Sequence, residues 1–77
     1  MAQHVITVAP TAEGWTVRNG QGAPLVFESS AQALWSARKV GEATAAGGVS
    51  AEVRVLDRNG AEAGRYHCPA DRELELN

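Results

Sequence analysis

The sequence is poor in the residues that identify a protein class at first sight. Its 77 residues include one cysteine, three prolines and four aromatic side chains, and Lys39 is the single lysine. Cys68 excludes an internal disulfide and fits a reducing compartment. The net charge of -2 gives no general attraction to nucleic acid or anionic lipid. No apolar run approaches the ~18 residues of a membrane span, and the first residues lack the pattern of a secretion signal. We therefore expect a cytoplasmic, soluble protein.

The length limits what the protein does. Residues 1–77 make one domain, with 44% hydrophobic and 21% charged residues, close to globular averages. A chain of this size buries only a little over ~60% of the surface that its unfolded form exposes. Such a core leaves little room for a deep catalytic cleft, so we expect the protein to act through its outer surface.

The first part of the chain predicts three strands, at about 4–9, 15–18 and 24–28. The first is rich in β-branched residues and is expected to end at Pro10. The loop between the second and third is predicted to contain five residues. That length sets Val17 opposite Leu25 and Trp15 opposite Phe27, which places large apolar side chains together on a buried face.

A change of period then predicts a helix over about 30–46. Ser29, with Gln32 three residues later, is typical of a helix start. Small residues collect on one side of the helix, which favours close packing against a sheet that carries larger side chains. Gly41 within the helix is explained by that close approach, and Gly47-Gly48 end the helix.

Two further strands are predicted, at about 51–57 and 62–67, followed by a tail at 70–77. The alternation places Val53, Val55 and Tyr66 on one face, provided that the connecting loop is even in length. The predicted fold is α+β, with two layers: an antiparallel sheet in the order β-β-β-α-β-β, and one helix on one of its faces. The other face is open or is paired with a partner.

The last hairpin allows two registers. A two-residue turn at Asn59-Gly60 sets Arg54 opposite Arg65, and such a pair needs an acid nearby: Glu52 diagonally, a partner's carboxylate or a phosphate. A four-residue turn instead sets Glu52 opposite Arg65, which is an ordinary surface ion pair. Asn-Gly favours the two-residue turn.

Several motifs resemble a family of small bacterial domains, the domain of unknown function 2188 family. The family's opening "GW-x-V" is matched by Gly14-Trp15 and Val17. Its helix and closing hairpin are matched by Phe27, Ser29, Ala33-Leu34, Ala37-Arg38, Ala51-Glu52-Val53, Asn59-Gly60 and Tyr66. The likeness covers roughly Val5 to Tyr66. It implies the same order of strands and helix, and it implies no catalytic residue.

No motif predicts catalysis, a metal or a cofactor. Adjacent strand residues point to opposite faces, so His67 is not placed to activate Cys68, and nothing requires His4 to do so. A zinc site from His4, His67, Cys68 and Asp71 lacks two closely spaced ligand pairs. The glycine-rich "NGQG" lies between strands and has no following Gly-Lys-Ser/Thr, so it is a hairpin loop.

The sequence therefore favours a non-catalytic interaction module. The expected partner is another protein or a second copy, bound through the open sheet face, an edge strand or the Trp35 side of the helix. Trp35 lies away from the small-residue stripe and is either covered by the tail, at Leu74 or Leu76, or exposed to a partner. The alternative is nucleic-acid binding by an arginine face. The candidate surface comprises Arg18, Trp35, Glu52, Arg54, Arg65 and His67.

Overall fold

The computed structural model describes residues 4–70, which form one helix on one face of a five-stranded sheet. The fold is α+β with the predicted chain order β-β-β-α-β-β. The elements are β1 (His4–Thr11), β2 (Gly14–Asn19), β3 (Leu25–Phe27), α1 (Ser30–Ala46), β4 (Ala51–Leu56) and β5 (Glu62–Cys68). No helix within residues 4–70 has the length and apolar character needed to cross a membrane. The predicted tail from residue 71 onwards lies outside the described residues, but Ala70 is buried.

The sheet is mixed, so the prediction of an entirely antiparallel sheet was wrong. Its spatial order is β3-β2-β1-β4-β5, and β1 runs parallel to β4 while the other neighbours are antiparallel. The parallel pair follows from the helix. Because α1 returns the chain to the end of the sheet where β1 begins, β4 starts beside β1 and runs in the same direction.

Strand β1 continues through Pro10 to Thr11, whereas the sequence predicted that it ends at Pro10. Pro10 pairs with Trp15 of β2, and the pairing of β1 with β4 reaches only to Val8 and Val55. On the β4 side Pro10 therefore has no neighbouring strand that needs an N–H from it, and the missing donor breaks no ladder bond there.

The hairpin of β2 and β3 has the predicted register. Leu25 pairs with Val17 and Phe27 with Trp15, so the loop between β2 and β3 contains five residues. Trp15 and Phe27 pack against the core from its edge. The buried core itself consists of small and medium side chains: Ile6, Val8, Val17, Ala33, Ala37, Ala51 and Val53.

Helix α1 begins and packs as its sequence predicts. The Ser29 side chain accepts a hydrogen bond from the backbone N–H of Gln32 at 3.2 Å. The buried residues of α1 are Ala33, Ala37, Gly41 and Ala45. A Cβ atom at Gly41 would lie 3.0 Å from Cys68 Sγ and 3.5 Å from a methyl of Val53. The helix therefore approaches the sheet closely at Gly41, and Gly48 takes the positive φ of 101° just beyond its end.

The last hairpin reaches the predicted register by a different route. Val53 pairs with Tyr66 and Arg54 with Arg65, as a two-residue turn would require. However, the loop holds three residues, 58–60, because the N–H of Asp57 donates to the carbonyl of Ala61 at 2.8 Å. A β-bulge then restores the register: Leu56 pairs with Glu62 but Val55 pairs with Gly64, so residue 63 is the extra one.

The expectation of an even loop was therefore wrong. The Asp57 carboxylate explains the longer loop, since its Oδ1 accepts from the backbone N–H groups of Asn59 at 2.9 Å and Ala61 at 3.0 Å. Gly60 supplies the positive φ of 83° that the turn needs. A regular two-residue turn would have set Asp57 opposite Glu62, two like charges face to face.

Candidate functional site

The face of the sheet that α1 does not cover carries the predicted arginines in one row. Arg18 of β2 pairs with Thr7 of β1, Thr7 pairs with Arg54 of β4, and Arg54 pairs with Arg65 of β5. All three guanidinium groups therefore stand on the same face of four adjacent strands. His67 lies next along β5, opposite Glu52.

Glu52 stands between two of these arginines and supplies the acid that their opposition requires. Its Oε2 lies 2.7 Å from Nε of Arg65, and its Oε1 lies 3.9 Å from Nε of Arg54. Glu52 is 6% exposed, the one charged residue that is buried in the described part of the chain. Glu52 thus takes the diagonal position that the sequence predicted as one of three alternatives.

The β-bulge adds a second carboxylate to the same face. Glu62 and Arg65 are three residues apart, a spacing that puts side chains on opposite faces of a regular strand. Because residue 63 is bulged out, Glu62 shares the face of Arg65 and receives two hydrogen bonds from its guanidinium group, at 2.8 and 2.9 Å. These bonds lower the pKa of Glu62 and raise that of Arg65. The sequence-based interpretation missed Glu62, because only the bulge places it there.

The result is a balanced cluster of two carboxylates and two guanidinium groups: Glu52, Glu62, Arg54 and Arg65. Its charges are satisfied internally, so it offers little net field to an anion. Arg18 lies apart and lines a depression of about 380 Å³, in which half of the lining residues are threonines. One of these, Thr16, donates its hydroxyl to the carbonyl of Ala9 at 3.2 Å.

The structure keeps His4 apart from Cys68. His4 is hydrogen-bonded to the Asn19 side chain on β2, and Cys68 lies on β5 beside Gly41 of the helix. Strand β4 lies between His4, on β1, and Cys68, on β5. No group of three or more His, Cys, Asp or Glu side chains that could hold a metal ion occurs among residues 4–70.

Trp35 is exposed on the outer side of α1, where 66% of its surface is accessible. The Lys39 ammonium lies 5.5 Å from the centre of its ring, a distance typical of a cation–π contact. Beside Trp35 runs an open groove of about 530 Å³ between α1 and β3. We call it the Trp35 groove, and its lining residues are Phe27, Ala31, Gln32, Trp35 and Ser36.

The Trp35 groove adjoins the β3 edge of the sheet, which is apolar on both faces. Leu25 and Val26 are 59% and 55% exposed, and Phe27 is half-buried at the groove. None of the three strand residues is charged. The edge at β5 differs, because it carries Glu62, Arg65 and His67 as well as the bulge. Charges and bulges on an edge strand oppose pairing with another strand, and β5 carries both whereas β3 carries neither.

The outer backbone groups of β3 belong to Val26. The N–H of Gly20 donates to the carbonyl of Val5 at 3.0 Å, which fixes the alternation of the β1–β2 ladder. By that alternation Trp15 directs its N–H and C=O toward β3, where Phe27 is its partner. Val26, one residue earlier, therefore directs its N–H and C=O away from β2, toward the outer edge.

Comparison with protein-family models, curated proteins and solved structures found no match for this chain. Membership of the domain of unknown function 2188 family therefore stays a prediction.

Proposed function

We propose that this chain is a non-catalytic, cytoplasmic interaction module that binds an extended protein segment along the β3 edge, with the Trp35 groove as its side-chain pocket. The observation that carries the proposal is the difference between the two sheet edges. The β3 edge combines outward backbone groups at Val26 with exposed apolar side chains, whereas β5 has charges and a bulge. Strand addition needs the former combination: backbone bonds give affinity, and pockets for alternate side chains give specificity.

Trp35 supports the same location. Tryptophan is enriched among residues that dominate binding energy, especially beside pockets that an apolar side chain fills. A segment added to β3 would direct every second side chain toward the helix side of the sheet. The Trp35 groove lies on that side, next to Phe27.

Nucleic-acid binding has weaker support. Arg54 and Arg65 already contact Glu52, and Arg65 also contacts Glu62, so Arg18 is the one arginine of the row outside this cluster. Phosphate contacts on a carboxylate-lined surface would have to displace those partners, and the net charge of -2 adds no attraction.

The test is a selection of random peptides displayed on phage, with the wild-type chain as bait and Val26→Pro for counter-selection. Proline is tolerated on an edge strand where the N–H faces outward, so Val26→Pro is expected to fold while losing the donor needed for strand addition. Val26→Thr, which keeps the N–H, is the matched control. Circular dichroism checks the folding of both.

We expect the selected peptides to be extended and apolar at alternate positions, and to bind wild type and Val26→Thr but not Val26→Pro. Their amide shift changes should lie at Val26, Phe27 and Trp35. Peptides that bind Val26→Pro equally well would overturn the proposal. So would an oligonucleotide titration at low salt that moves Arg18, Arg54 and Arg65, because it would assign the function to the arginine row.

A further inference from the structure

We infer that the segment added to β3 is the β3 strand of a second copy of this chain, so that two sheets join across a two-fold axis at Val26. This inference rests on the proposed function and names its partner. A two-fold axis through an antiparallel strand pair sets one residue opposite itself and every other residue opposite its mirror position. The sequence and backbone of β3 allow a direct check of that geometry.

The backbone groups match when Val26 is centred. Its outward N–H and C=O make it a hydrogen-bonded pair with Val26 of the other copy, in which both bonds are exchanged. Two positions away, Pro24 of one copy faces Glu28 of the other. Pro24 accepts through its carbonyl but has no N–H, so each of these two outer pairs forms one hydrogen bond instead of two. No two like charges oppose each other in this register.

The side chains match as well. On the open face Val26 meets Val26, an apolar pair between residues that are 55% exposed in the single chain. On the helix side Leu25 of one copy lies opposite Phe27 of the other. That position brings Leu25, 59% exposed, to the mouth of the Trp35 groove of the other copy, which Phe27 lines. Each copy thus supplies one apolar side chain and receives one.

The self-complementarity favours a second copy over a foreign segment. A foreign strand needs only one matching face, whereas β3 is apolar on both and mirrors itself about Val26. Pairing through this edge also closes the assembly at two copies, because the remaining edge of each sheet is β5, which is charged and bulged.

The test uses the fact that residue 26 of one copy faces residue 26 of the other across the two-fold axis. In Val26→Lys two ammonium groups would face each other across the axis, and in Val26→Glu two carboxylates would do so. Like charges directly opposed are destabilising, so each variant should weaken its dimer by about tenfold or more. A mixture of the two variants should form a heterodimer, because lysine then faces glutamate. Val26→Thr is the uncharged control and should remain dimeric.

Sedimentation equilibrium of each protein and of the mixture, up to millimolar concentration, gives the oligomeric state. The inference is supported if wild type is a dimer, if each variant alone forms a weaker dimer, and if the mixture of the two forms a heterodimer. A wild-type chain that is monomeric throughout overturns it, as does a dimer that Val26→Lys leaves unchanged or a mixture that is not restored. Peptide selection that discriminates against Val26→Pro would still support the proposed function in those cases, so the two failures are distinguishable.

Discussion

Arg65 shows how a single side chain organises the open face of the sheet. Its guanidinium group contacts Glu52 at 2.7 Å and Glu62 at 2.8 Å, one buried carboxylate and one on its own strand. The opposing arginine, Arg54, reaches Glu52 only at 3.9 Å. Arg65 therefore contacts both carboxylates of the cluster, and Glu52 offsets the repulsion between the two arginines.

The two hydrogen bonds from Arg65 make a prediction about pH. They lower the pKa of Glu62 from the value of 4.5 expected without such partners. A carboxyl group whose pKa is lower in the folded state stabilises the fold above its unfolded pKa. That contribution is lost as the pH falls below about 4.5 and through the lower folded value. Acid should therefore lower the free energy of unfolding of wild type more than that of Glu62→Gln, which lacks the titrating carboxyl group.

Titration of the Glu62 side-chain carbon by NMR measures this directly. We expect its midpoint below 4.5 in wild type and at a higher pH in Arg65→Gln. Arg54→Gln is the matched control, because Arg54 acts on Glu62 only through longer-range attraction and its removal should move the midpoint less. Equal shifts in the two variants would show that the hydrogen bonds are not the main cause.

At the scale of single residues, the sequence was informative wherever alternation decided the outcome. The valines and Tyr66 face the helix, and the arginines face away from it, as the period of two requires. Glu62 could not be placed in the same way. Its position depends on the bulge at residue 63, which offsets the three-residue loop that Asp57 stabilises by accepting from the N–H groups of Asn59 and Ala61.

Among the elements, α1 was the most predictable. Its cap, its length and its stripe of small residues are all local signals, and the observed bounds are Ser30–Ala46. The direction of β4 relative to β1 was not predictable to the same degree. It depends on which strand β4 joins after the helix, and hydrophobic alternation is the same for parallel and antiparallel neighbours.

Gly41 permits a test of the contact between helix and sheet. Alanine is favoured over glycine in a helix by about 1 kcal/mol, but a Cβ here would lie 3.0 Å from Cys68 Sγ. Overpacking of this kind costs roughly 1–3 kcal/mol, so Gly41→Ala should lower the free energy of unfolding by about 1 kcal/mol. In a Cys68→Ala background the sulfur is absent, and the same change should be neutral or stabilising.

Denaturant unfolding of the four proteins in this cycle gives the coupling, expected at about 1–2 kcal/mol. An equal effect of Gly41→Ala in both backgrounds would mean that the helix does not press against Cys68. If Gly41→Ala raised the stability in the wild-type background, the sheet would have to accommodate the added Cβ without a loss of free energy.

In the molecule as a whole, the most stable strand and the proposed binding surface are expected in different parts of the sheet. Strand β1 is paired on both sides, and the largest fully buried side chains, Ile6, Val8 and Val53, lie on β1 and its neighbour β4. Strand β3 has three residues and one neighbour, and two of its side chains are mostly exposed. Segments with few buried contacts open at lower free energy than the core. The surface proposed for binding is therefore also the part of the sheet that opens most easily.

Amide hydrogen exchange should reveal this gradient. The Val26→Lys variant at low concentration is the protein to use, because dimerisation through β3 would protect that strand. We expect the amides of Ile6 and Val8 to exchange at the rate of global unfolding. The amides of Leu25 and Phe27, which bond only to β2, should exchange roughly a hundredfold faster, a difference of about 3 kcal/mol. In wild type their exchange should slow as concentration rises. Equal rates in β1 and β3 of the variant would contradict the gradient, because the edge strand would then open only with the core.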